Sequence, residues 1–391
     1  MNWTVSVRKS VVFFALAMAL LGAVAARPAQ AESLKTRAPI AFLFEPSSST
    51  TLFAKNAEQA FQPGSLAKIM VAATVFRAIA LGDVSSGTLC KVSEHAWRTG
   101  GAPAGGATMF AAIKSEIPVE DLLNGLLVHN ANDAAIVLAE CLDDSESAFA
   151  RRMNELALEI GMTGSTFVNP AGFEAAGART TARDMARLAT YILKDHSHHY
   201  ALFAQSDFTW NTIFQRNKNP LLGEIRQLDG LGAGYSEADG YAGLASVLRN
   251  DRRVIAVVAG LKSDKNRLTA MKEVIEGAWE YFTLERLFDK GVVIATARVF
   301  GGTQNNVPLV AAKHVDVLLP RGGTLDYRLR VVYSGPLKAP VESGAEAGEL
   351  RVIGEDGIVY RSVLVTGEAV ELGPMQVRAL SSLQNMLFGW F

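Results

Sequence analysis

The hydrophobic pattern of this chain changes its period once, and that change limits the architectures open to it. Between residues 37 and 286, apolar residues recur at helical spacing over 65–81, 119–141, 146–161, 180–193 and 269–288. Short β-rich runs at 40–44, 51–55, 244–248 and 253–261 interleave with them, and Arg249-Asn250-Asp251-Arg252 reads as a hairpin turn. From 292 to 372 no helix-period stretch occurs. Runs such as Val315-Asp316-Val317-Leu318-Leu319 alternate there with turns that contain Pro and Gly. A mixed helix–strand unit followed by a small all-β module satisfies both halves, with the boundary near Lys290-Gly291. A length of 391 residues fits two such domains.

The two ends stand apart from this plan. Mean hydropathy is +0.16, high for a water-soluble chain, and the first 31 residues explain much of it. Arg8 and Lys9 precede an uncharged apolar run over 11–26, and Ala29-Gln30-Ala31 places small residues where a signal peptidase cuts. Residues 1–31 therefore read as a secretory signal cleaved before Glu32, because the run falls short of the ~20 residues of a spanning helix. The mature chain is expected outside the cytoplasm, in the periplasm of a two-membrane host. At the other end, 373–391 set Val377, Leu380, Leu383, Leu387 and Phe391 on one helical face. Such a helix either lies on a membrane surface or docks on its own domain.

Net charge is -1, from 38 Lys+Arg against 39 Asp+Glu, so no basic footprint points to nucleic acid. The 2 cysteines are too few for a disulfide scaffold or a four-thiolate zinc site. Cys90 and Cys141 either bridge in an oxidising compartment or leave Cys141 as a buried thiol.

One local pattern carries chemistry. In Pro63-Gly64-Ser65-Leu66-Ala67-Lys68, Ser65 and Lys68 lie three apart at the start of an apolar helix. That spacing puts the amine one turn from the hydroxyl. A desolvated lysine can be neutral and accept the hydroxyl proton, and a helix N-terminus offers N–H groups to a developing oxyanion.

Ser-x-x-Lys behind an export signal is the first motif of the serine acyltransferases that penicillin inhibits. The chain resembles the low-molecular-mass penicillin-binding proteins, the D-alanyl-D-alanine carboxypeptidases. FQPGSLAKIM (61–70), GGATMFAAIKSEIPVEDLLNGLLVHNANDAA (105–135), MTGSTFVNPAGF (162–173), TTARDMARLATYIL (180–193) and LDGLGAGYSEADGYAGLASVLRNDRRVIAVVAG (228–260) follow in the family's order. The resemblance implies an α/β (α+β) transpeptidase-like catalytic domain over 32–290, an all-β domain over 291–372 and a membrane-associating helix over 373–391. It implies no metal and no cofactor, peptidoglycan pentapeptide as substrate, β-lactams as covalent inhibitors and no nucleic-acid partner.

The resemblance makes Ser65 the nucleophile, Lys68 its base and Asn132 the group that positions the substrate amide. Two motifs depart from the family. Asn130 stands where a Ser relays a proton, and a carboxamide cannot pass a proton on as a hydroxyl does. Gly232-Ala233-Gly234 replaces Lys-Thr-Gly, so the Lys and Thr that hold the substrate carboxylate are gone while Gly234 is kept. Two readings follow: a working D-alanyl-D-alanine carboxypeptidase, or an impaired relative that binds peptidoglycan or a cell-wall partner. Arg249, Arg252, Arg253 and Lys262 are the cations available to replace the lost charge. His196, His198 and His199 could form a metal site, but read rather as a solvated loop after a helix. Gly100-Gly101 and Gly105-Gly106 read as a flexible segment before the second motif, with Trp97 lining the cleft or packing.

Overall fold

The computed structural model describes residues 4–5, 34–321, 327–354 and 357–376. The expected signal over 1–31, apart from Thr4–Val5, and most of the expected C-terminal helix, from residue 377, lie outside the described residues. The chain divides into two compact units, one of residues 34–46 and 51–280, the other chiefly of 281 onward.

The first unit is built on strands β1 (Ile40–Glu45) and β2 (Thr50–Lys55), helix α1 (Ala67–Leu81), the short β3 (Leu89–Lys91), α2 (Glu94–Thr99) and β4 (Glu116–Pro118). It continues with α3 (Val119–Val128), α4 (Asn132–Asp143), α5 (Glu146–Glu159), α6 (Ala182–Asp195) and the hairpin β5 (Asp207–Trp210) and β6 (Ile213–Arg216). β7 (Leu228–Ser236), β8 (Gly240–Arg249), β9 (Arg252–Leu261) and α7 (Asp264–Glu280) complete it. Five strands form one sheet in the order β2-β1-β9-β8-β7. Helix α1 is buried on nearly every side, from Ala67 through Phe76, and belongs to the core cluster that packs the helices against the sheet. That burial explains why its sequence is apolar all round and not in a stripe.

The Cys90–Cys141 bridge is formed, tying β3 to α4 across 51 residues. A loop of that size constrains the unfolded chain by about 4 kcal/mol. The Cys90→Ser/Cys141→Ser double variant is therefore expected to melt about 8–15 °C lower by calorimetry. A fall of under about 3 °C would show that the bridge adds little beyond packing.

Several expectations are corrected. The helix over 119–141 is two helices, α3 and α4, because Asn130 between them has φ 56°, in the left-handed region where Asn is better tolerated than most residues. The helix over 269–288 ends at Glu280, and Phe282–Phe288 is a strand of the second unit. The unit boundary thus falls at Tyr281 and not at Lys290. The histidine segment is a solvated loop only in part: His198 is exposed, but His196 is buried and meets Tyr191 Oη at 2.9 Å, and Phe76 stacks on His199. Trp97 packs against the core, and a Cβ on Gly100 would sit 2.6 Å from Asp133 N, so that glycine serves close packing rather than flexibility.

The second unit holds β10 (Phe282–Phe288), β11 (Val293–Phe300), β12 (Asn306–Ala311), β13 (Val315–Pro320), β14 (Arg328–Val332), β15 (Leu337–Lys338), β16 (Glu346–Gly354) and β17 (Gly357–Thr366). β14, β16, β17, β12, β11 and β15 follow one another across one sheet, whose β14 edge pairs with Thr4–Val5. β10 pairs with β13, and the inner faces close over Val307, Leu309, Val317, Leu350, Val352 and Leu364. Among the described residues from Tyr281 to Leu372 this unit is all β, as its sequence period requires.

Candidate active site

Ser65 sits in a 3-10 turn, Gly64–Leu66, which leads directly into α1. Two glycines permit that turn. Gly64 has φ +51°, and a Cβ there would lie 2.2 Å from Tyr235 O. A Cβ on Gly234 would lie 2.7 Å from Pro63 O. Strand β7 therefore runs against the turn at a separation that only glycine allows.

One turn on, Lys68 is 2% exposed. Burial lowers its ammonium pKa from 10.5 to about 7, and the negative charge of Asp133 opposes part of that fall. Asp133 itself is fully buried at the start of α4. It accepts hydrogen bonds from Thr108 Oγ1 at 2.5 Å and from the N–H groups of Met109, Ala111 and Ala134 at 3.0 Å each. Four donors fix this carboxylate, so it sets the field at Lys68 without moving. An amine with that pKa is neutral about half the time near pH 7 and can take a proton from a neighbouring hydroxyl.

Ser65, Lys68, Asn130, Gly232 and Ala233 line one pocket, together with Ile69, Leu126, Leu127, Leu231, Lys218 and Asn219. The two degraded motifs thus face the serine. Asn132 and Gly234 stand just outside the lining. A Cβ on Gly106 would meet Asn132 Nδ2 at 2.8 Å, and the Asn132 N–H donates to Ala107 O at 2.7 Å, so this asparagine is held by the preceding loop.

None of the four cations offered as replacements reaches the pocket. Arg249 forms an ion pair with Glu276 at 2.8 Å, and Arg253 one with Asp229 at 2.7 Å. Arg252 donates to the carbonyl of Ala278, and Lys262 is exposed away from the lining. The cation that does line the pocket is Lys218, just after β6. Its N–H donates to Val128 O at 2.8 Å, and its ammonium has no partner among the described residues. Beside it, Asn219 Nδ2 is a buried donor with no hydrogen bond. Lys218 and Asp133 escaped the sequence reading. Asp133 adjoins Asn132 and had a signal in its place at a helix start, whereas only the β5–β6 hairpin brings Lys218 to the site.

A serine one turn from a buried lysine whose pKa is lowered to about 7, in a helical layer packed on a five-stranded sheet, defines a serine acyltransferase of the penicillin-binding class. Residues 25–263 match the family described as D-alanyl-D-alanine carboxypeptidase, and residues 282–372 match the penicillin-binding protein 5 C-terminal domain. The chain belongs to the D-alanyl-D-alanine carboxypeptidase family. It is 30% identical to D-alanyl-D-alanine carboxypeptidase DacC of Escherichia coli, over 93% of this chain and 91% of that one. It is 28% identical to DacF of Bacillus subtilis, over 83% and 84%. Among solved structures, penicillin-binding protein 5 of Haemophilus influenzae superimposes with a TM-score of 0.74 at 27% identity, covering 86% of this chain and 98% of the other. The cefotaxime-bound penicillin-binding protein D2 of Listeria monocytogenes gives 0.54 at 25% identity, covering 63% and 98%.

Proposed function

We propose that this protein releases the terminal D-Ala from peptidoglycan stem peptides through an acyl-enzyme on Ser65. The observation that carries the reading is Lys68, buried one turn from Ser65 with its pKa lowered to about 7. Ser65 Oγ attacks the carbonyl carbon of the penultimate D-Ala while the Lys68 amine takes the hydroxyl proton. The C–N bond then breaks, and the leaving amine of the terminal D-Ala takes up that proton. A water attacks the resulting ester and gives its proton to Lys68, which passes it to Ser65 Oγ as the ester C–O bond breaks, leaving a free serine, a neutral Lys68 and the shortened peptide. Asn132 orients the substrate amide.

Asn130 donates and accepts hydrogen bonds at the pocket wall but relays no proton, so the proton passes from Lys68 to the leaving amine without a side-chain hydroxyl at that position. Lys218 takes the part of the missing Lys-Thr-Gly lysine by facing the substrate carboxylate from the opposite strand connection. Gly232 and Ala233 contribute backbone and shape. The binding-only alternative gains no support: the family and its relatives are carboxypeptidases, and the serine–lysine pair is intact. By the same reading, residues 1–31 direct export, and 373–391 hold the enzyme at the outer face of the inner membrane.

Incubation with a fluorescent penicillin followed by peptide mapping is expected to place one adduct on Ser65, absent from Ser65→Ala. Folded protein that takes up no adduct at saturating drug would remove the acyl-enzyme from this account.

A further inference from the structure

The second unit carries a row of like charges that its own stability does not explain. Strand register sets Arg330 directly opposite Arg351, and Arg351 directly opposite Arg361, across the adjacent strands β14, β16 and β17. Arg328 extends the row along β14. Like charges placed opposite each other in a sheet are destabilising unless something neutralises them.

The neutralisation within the unit is partial. Glu349 pairs with Arg351 and with Arg361, the latter at 3.2 Å. Arg328 and Arg330 have no hydrogen bond or ion pair among the described residues. Among the described residues, four guanidinium groups against one carboxylate leave a net +3 on this face, on a chain whose total is -1.

The face points away from the unit's core. Leu350, Val352 and Leu364 are buried on the inner side, while Arg351 and Arg361 alternate with them outward. Val363, 40% exposed, lies on the outward side beside Arg361. Neighbouring strands are about 4.8 Å apart, so the guanidinium groups form a flat array and not a pocket. A flat array of planar, forked donors matches a layer of phosphates better than it matches one small anion.

We infer that this arginine row is an electrostatic docking face for an anionic phospholipid surface. The inference rests on the reading that residues 373–391 meet a membrane. From residue 377 onward that tail has one formal charge, Arg378, so it supplies apolar contact with almost no attraction to anionic headgroups. Stable membrane attachment ordinarily takes two signals, an apolar one and a basic one. The tail leaves the same unit that carries the row, because Val370 and Leu372 are bridged to Val341 and Gly302 within it.

The test is co-sedimentation of the full chain with phosphatidylcholine vesicles, with and without about one-third phosphatidylglycerol. The variants are Arg328→Gln/Arg330→Gln and Arg330→Gln/Arg351→Gln/Arg361→Gln, with penicillin labelling of Ser65 as the check on folding. Each charge near an anionic surface contributes roughly fivefold in binding. The anionic vesicles are therefore expected to bind wild type about 100-fold more tightly than neutral ones, and both variants to lose at least about tenfold of that preference. Equal binding to both vesicle types, unchanged preference in the variants, or displacement of wild type from vesicles by soluble acidic muropeptides would overturn the docking face. Truncation after Gly373 separates the two ideas. If the truncated chain and the full chain bind equally, the tail reading fails. If the tail matters but the arginines do not, only the present inference fails.

Discussion

Replacing Lys68 with alanine is expected to lower kcat/KM for D-Ala release by about 10³-fold or more, while the protein stays folded by thermal melting. The reason is that Lys68 is the only buried amine among the described residues that line the pocket, the other, Lys218, being exposed. The same group fixes the pH dependence. The amine must be neutral to accept a proton, and its folded-state pKa is about 7. Wild-type kcat/KM should therefore rise about tenfold per pH unit below 7 and level off above it. Asp133 raises the Lys68 pKa by its charge. Asp133→Asn removes that contribution, so the acidic limb should move to lower pH. A limb that stays in place, or a Lys68→Ala variant within about tenfold of wild type, would mean that another group takes the proton.

How far this site could be read from the sequence depends on how local each part of it is. Ser65 and Lys68 are legible because a one-turn spacing at a helix start is decided by three residues and needs no distant partner. The apolar period through 119–141 is equally local, but it continues straight across Asn130. The break that turns Asn130 into the pocket is a single left-handed residue, and it leaves no mark on hydrophobic spacing. Phe282–Phe288 contains Leu, Glu and Arg, which favour helix, and becomes a strand because Val315–Pro320 lies beside it. The disulfide joins residues whose approach is set by packing α4 on β3, which spacing alone leaves open. The replacement cation shows the limit most clearly. The sequence offered arginines near in number to Gly232, and those are committed to Glu276, Asp229 and a backbone carbonyl, while the lysine that lines the pocket comes from a separate hairpin.

That placement makes the strongest claim about specificity. Lys218→Ala is expected to raise KM for a pentapeptide ending in D-Ala-D-Ala and to lower kcat/KM by about 30-fold, equivalent to about 2 kcal/mol. This is the low end for a charge-assisted contact, because Lys218 is exposed until substrate covers it. Lys218→Arg should retain most of the activity. Amidating the terminal carboxylate of the substrate should weaken wild type by a similar factor, yet barely affect Lys218→Ala, since the two changes remove one contact. The geometry also supports a rescue. A Cβ on Gly232 would meet Ile69 Cδ1 at 3.3 Å, the far end of a flexible side chain that needs to shift only a few tenths of an ångström. A lysine therefore fits at 232, and Gly232→Lys with Ala233→Thr should restore carboxylate binding in the Lys218→Ala background. Gly234 must be left in place, because a Cβ there would collide with Pro63 O. If Lys218→Ala leaves KM unchanged, or if amidated and free substrates respond to it alike, the carboxylate is held elsewhere, and the unpaired Asn219 Nδ2 becomes the donor to remove next.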